Sequence, residues 1–155
     1  MNENVKDIAR LIRKVKIGDI RLVEAAVRRT IRSPKEIEKP EVVLKTATRV
    51  TDVDKSGVFF VLAFMQAQVV PRDSKEPAVY VKAGFELRYR LPEGSSASRS
   101  ELNRFAQVNG TFNAWPYWRE FIQNMFARMD LPPLTLPLFR IPKQPSRPQK
   151  KEPQR

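Results

Sequence analysis

The sequence predicts an α+β fold, with helices packed on one face of an antiparallel sheet of four strands. Three observations carry this. Between residues 19 and 90, apolar runs alternate with hairpin-length turns rich in Pro, Gly, Asp and Ser. From Ser98 onward the apolar spacing changes to that of a helix. At 155 residues, 41% apolar and 30% charged, the chain suits one domain with a core of its own.

Each element has its own warrant. Val5, Ile8, Leu11, Ile12 and Val15 recur at helical spacing, which predicts an amphipathic N-terminal helix over residues 1–14. After Gly18, Ile20 and Leu22 alternate with Arg21 and Val23, and the apolar parity then shifts. That pattern predicts a first strand with a bulge or register change. "SPKEIEKP" (33–40) reads as a crossover loop. "EVVLKTATRVT" puts Val42, Leu44, Thr46, Thr48 and Val50 on one parity, a second strand. The third, "VFFVLAFMQAQVV", is apolar on both parities in its first half, so both of its faces are expected to be covered there. The fourth, "AVYVKAGFELRYRL", alternates cleanly and implies one buried face and one wet face.

Ser98 and Glu101 have the spacing of a capping box and open a helix through Leu102, Phe105 and Val108. Asn109-Gly110 reads as its stop, and Pro116 as the first turn of a second helix. Tyr117, Trp118, Phe121, Ile122, Met125, Phe126 and Met129 then form one broad apolar stripe. Pro132 and Pro133 forbid its continuation. The body is thus assigned to residues 1–141, and residues 142–155 to a disordered, Pro-rich basic tail.

The formal net charge is +12. It is concentrated at the ends: residues 1–35 hold ten Lys/Arg against four Asp/Glu, and residues 143–155 hold five against one. Such an excess supports solubility and attracts polyanions, so a basic nucleic-acid-binding adaptor is one reading. The chain has no Cys and no His, which removes thiolate chemistry, disulfides and the usual neutral-pH base. It also lacks phosphate-binding and nucleophile-elbow motifs. Asp52 and Asp54 read as turn residues. The sequence argues against an enzyme, and no metal or cofactor is expected. No apolar run approaches twenty residues and no signal-peptide pattern opens the chain, which makes a cytoplasmic location without membrane insertion the expectation.

Most of the aromatic stripe should be core. Yet it is followed by Leu131, Leu134, Leu136, Leu138 and Phe139 in extended sequence, more apolar surface than one small sheet covers. The surplus should be an interface, between subunits or with a client.

The stretch "WPYWREFIQNMFARMDLPPLTL" (115–136) resembles the signature of the SecB export chaperone family. "KVKIGDIRL" and "KPEVVLKT" resemble its first-strand motif and the start of its second strand. "SGVFFVLAFMQAQV" and "AVYVKAGFELRYRL" fall in order where its third and fourth strands lie, so the resemblance spans residues 12–139. It implies Greek-key strand order and assembly as a homotetramer, a dimer of dimers. It implies an ATP-independent holdase that keeps unfolded polypeptides in apolar grooves, for protein export by way of the SecA motor. Carried over, client binding falls to Val42, Leu44, Leu134 and Leu136, with Trp115 and Tyr117 shaping the start of the helix. Subunit contacts fall to Ile20 and Leu22 on the first strand and to Trp118, Phe121, Ile122 and Met125 on the long helix.

The chain departs from the export members in two ways. A Pro-rich basic tail stands where they continue into a second helix. Lys82, beside Arg88 and Arg90, stands where an acidic group is expected for SecA. Like charges there argue against SecA docking. Both departures resemble the SecB-like chaperones that control toxin–antitoxin modules by binding an aggregation-prone antitoxin segment.

Overall fold

A computed structural model describes residues 10–37 and 39–139. The predicted tail from 142 and the first nine residues of the predicted N-terminal helix lie outside the described residues. Residues 10–14 are helical and lead into β1 (Lys16–Arg29). There follow β2 (Glu41–Val50), β3 (Val58–Val70), β4 (Val79–Arg90), α1 (Arg99–Phe105) and α2 (Thr111–Arg128).

The strands form one antiparallel sheet in the order β1-β4-β3-β2. Three consecutive strands make a meander, and β1 returns beside β4, which is Greek-key order read from the far end. The segment 30–40 must therefore cross from one sheet edge to the other. The hairpin between β2 and β3 is fixed by Asp54, whose carboxylate accepts from Ser56 N, Ser56 Oγ and Val58 N at 2.7–2.9 Å. Those bonds hold its pKa below the usual carboxylate range. Gly57 follows with φ +77°, a conformation that glycine takes without strain.

Alternation assigns one face of the sheet to the core. Phe59, Val61, Ala63, Met65, Ala67 and Val69 on β3 are buried there, as are Val79, Val81, Ala83, Phe85, Leu87 and Tyr89 on β4. Leu11 is buried in this core too, with Ile12 and Val15 packed against it. Phe60, Leu62 and Phe64 point to the opposite face and are half-buried by neighbouring side chains rather than by a second layer. That corrects the expectation of two covered faces: here apolar runs on both parities reflect bulky side chains on an outward face.

β1 changes register twice, between Ile17 and Ile20 and between Leu22 and Glu24. The bulge that the parity shift predicts is thus two irregularities. Their effect is to keep Ile17, Ile20, Leu22, Ala25, Val27 and Arg29 on the helix side although their parity in the sequence changes.

The helical region also differs from expectation. Ser98 and Glu101 do form a capping box. Asn109-Gly110, however, does not end a helix: the chain runs from α1 through a π-helical turn, Ala106–Gly110, straight into α2. Gly110 is in ordinary helical conformation, and a Cβ there would lie 2.6 Å from Val61 Cγ1. The glycine lets the helix backbone touch the sheet. Pro116 consequently sits inside α2 rather than in a first turn. The helix ends ahead of the prolines, at Arg128, and Asp130, with a φ of 52°, turns the chain while Leu131 N donates to Phe126 O at 3.0 Å.

Candidate functional site

The broad apolar stripe of α2 resolves into two rows. Trp118, Ile122 and Phe126, at intervals of four, are buried against the sheet. One residue earlier in each turn, Tyr117, Phe121 and Met125 form a flanking row that stays accessible. Because α2 lies over β4 and β3, both edge strands keep helix-side surface that it does not cover. The result is a groove on each flank of the helix.

The groove toward β2 has a volume of about 280 Å³ and is almost wholly apolar. Its floor is a row of three valines in register, Val42, Val69 and Val79, one from each of three adjacent strands. Its walls are the crossover, with Ile37 between Pro34 and Pro40, and the segment after α2, with Leu131, Pro132, Pro133 and Leu134. Phe126 meets the floor from the helix. Proline supplies no N–H, so these walls expose carbonyls and rings with few donors awaiting partners. Val42 is 39% exposed and Leu44, next on the same face of β2, is 37% exposed, so the apolar surface continues along the edge strand.

Arg29 closes the row. It pairs with Val79 in the sheet, and its guanidinium donates to the Met129 carbonyl and, at 2.8 Å, to the Arg32 carbonyl. One side chain thereby ties the start of the crossover to the end of α2. On the far side of the exit segment, Trp115 Nε1 donates to Pro137 O at 2.8 Å, and its ring meets Phe139 at 5.3 Å.

The second groove, toward β1, has a volume of about 350 Å³. Ile20, Leu22 and Phe85 on the sheet face Tyr117, Phe121 and Met125 on α2, with Glu120, Asn124 and Arg128 at the rim. The ring of Tyr117 lies 6.3 Å from that of Phe85.

The residues singled out in the sequence therefore divide. Val42 and Leu134 share the β2-side groove, and Leu44 adjoins it. Leu136 is 2% exposed, and Trp115 is buried as an anchor of the exit segment. Neither presents surface to a client. Tyr117 lies in the other groove, beside the residues assigned to subunit contacts. Among those, Ile20, Leu22, Phe121 and Met125 line an open surface, whereas Trp118 and Ile122 are core. The sequence assigns no binding role to Val69, Val79, Phe126, Ile37 or the flanking prolines. Their only signal was apolar character, and sheet register, which brings three valines into one row, is not visible in a sequence.

A Greek-key α+β protein that leaves an open apolar groove on each side of its helix is a class with surface for extended chain or for a second subunit. No protein-family model matches the chain. Two SecB-like chaperones, from two strains of Mycobacterium tuberculosis, are each 32% identical to it over 153 residues, covering 86% of this chain and 82% of their own length. The chain belongs to the SecB-like chaperone family. Its fold also matches a solved structure, the Mycobacterium tuberculosis Rv1957 SecB-like chaperone in complex with a ChAD peptide from the Rv1956 HigA1 antitoxin. That match has a TM-score of 0.78 at 24% identity and covers 89% of this chain and 99% of the other.

Proposed function

We propose that the protein is an ATP-independent holdase whose β2-side groove binds extended, aggregation-prone polypeptide, and that an antitoxin segment is its natural client. The observation that carries this is the open floor of Val42, Val69 and Val79 beneath proline walls. Across three strands that floor spans about 10 Å, enough for roughly three extended residues. Each buried aliphatic client side chain contributes about 1.5–3 kcal/mol before the cost of ordering the chain. One groove is therefore a weak site. Several on one oligomer give avidity, which suits a client that offers spaced apolar residues.

The antitoxin reading is supported by the structural neighbour, which holds an antitoxin peptide. It is favoured over export because the sheet's outer face carries Lys82, Arg88 and Arg90, which repel a basic motor. Assembly as a tetramer through the β1-side groove, a cytoplasmic location and the absence of enzymatic activity belong to the same reading. No described helix is long and apolar enough to cross a membrane.

The test compares the wild type with Val42→Asp in suppressing aggregation of a denatured slow-folding protein, without nucleotide. A carboxylate on the groove floor should raise the chaperone concentration needed for half-protection at least tenfold. The variant must keep its circular dichroism and oligomer mass. Equal protection by a folded Val42→Asp protein rejects the groove.

A further inference from the structure

The face of the sheet turned away from the helices is basic. Register puts Lys45 and Arg49 of β2 there, with Lys82, Arg88 and Arg90 of β4. Glu24, Glu41 and Glu86 share the face, and two of them are already engaged, Glu24 by Lys82 and Glu86 by Arg21. Lys45, Arg49 and Arg88 have no carboxylate within ion-pair distance among the described residues. A shallow hollow of about 540 Å³ crosses the sheet here, rimmed by Lys45, Arg49, Lys82 and Glu24 and floored by Phe64 and Gln66. Gly84 makes room for the Phe64 ring, since a Cβ at Gly84 would stand 3.1 Å from it.

We propose that this outer face binds the phosphate backbone of single-stranded nucleic acid, a ligand distinct from the polypeptide held on the other side of the sheet. An acidic protein partner fits less well. Protein interfaces centre on buried apolar and aromatic side chains, whereas nucleic-acid interfaces are polar and strongly positive. The large apolar side chains that are well exposed lie on the helix side, on α2 or after it, apart from Val23 at a β1 bulge. Of the outer-face aromatics, Phe64 and Tyr80 are occupied, with Lys82 Nζ 5.5 Å from the Phe64 centroid and the Arg28 guanidinium 5.7 Å from that of Tyr80, while Phe60 is half-buried. Rings so covered are poor stacking platforms, so recognition rests on phosphates and is indifferent to base sequence. Lys45 and Arg49, four residues apart on one strand, are about 14 Å apart. Several phosphates of an extended strand cover that distance.

The experiment is fluorescence anisotropy of labelled 20-nucleotide single-stranded RNA and DNA of mixed sequence, titrated with the full chain. Binding should be insensitive to sequence. With three phosphates neutralised it should weaken about 20-fold between 50 and 200 mM salt. Lys45→Glu/Arg49→Glu should bind at least tenfold more weakly with a shallower salt slope, and Arg88→Glu should move the same way. Aggregation suppression by these variants should be unchanged, which certifies their fold and separates this face from the groove. Undiminished binding by both variants overturns the proposal and moves the contact to other cations, those of residues 143–155 included. Binding of polyglutamate with none to either oligonucleotide overturns it in favour of an acidic protein.

Discussion

Tyr89 joins an aromatic cluster with Phe59 and Phe105, at ring distances of 5.5 and 4.9 Å, to a single polar contact, Asn113 Nδ2 donating to its hydroxyl at 2.9 Å. Burial pushes its pKa up from 10.0 to about 12, opposed by that hydrogen bond. An unfolded chain loses the tyrosine proton near pH 10, while the folded protein holds it to about 12. The unfolded state therefore binds fewer protons in that window. Stability present below pH 10 is lost as pH rises toward 12, by up to about 3 kcal/mol. Urea denaturation across pH 9–12 should show a shallower decline for Tyr89→Phe than for wild type. Parallel declines would mean that Tyr89 ionises normally.

At the scale of elements, the groove depends on a strand that changes its own parity. The irregularity between Leu22 and Glu24 returns β1 to odd-numbered helix-side positions, which aims Arg29 at the end of α2. Without it, Arg29 would face outward and the crossover would lose its tie to the helix. Charge-assisted hydrogen bonds of this kind contribute about 1.5–3 kcal/mol. Arg29→Ala should lower stability by about that much in urea denaturation and hasten hydrogen exchange at Leu131 and Leu134. It should also weaken client holding, because the two walls would no longer be held together. A variant that loses stability but keeps full holding would show the tie to be structural alone.

For the whole molecule, the two grooves separate two tasks that the sequence runs together in one stripe. Val42→Asp should weaken holding at least tenfold and leave oligomer mass unchanged. Leu22→Asp combined with Met125→Asp puts carboxylates on both walls of the β1-side groove, and should reduce the mass seen by light scattering at least twofold. Holding should then fall through lost avidity rather than through a lost groove. If the double variant keeps its mass, that groove is not the subunit contact.

The sequence by itself determined what local physical chemistry encodes. Alternation marked the buried face of β4 and the helix-side row of β2, the Ser98–Glu101 box opened the helical region, and the 115–136 motif pointed to the SecB-like family. Helical spacing picked out every residue of the α2 stripe. What it could not divide was that stripe, because Trp118 and Tyr117 are adjacent in sequence and differ only in which neighbour the sheet supplies. Gly110 read as a stop for the same reason: its local signal is that of a helix end, and its partner Val61 is 49 residues away. Leu134 and Leu136 look alike as sequence, yet one lines a groove and the other is core. Only the tertiary structure decided these matters. Burial, register and the meeting of Val42, Val69 and Val79 are properties of strand pairing, and pairing joins residues that local patterns never compare.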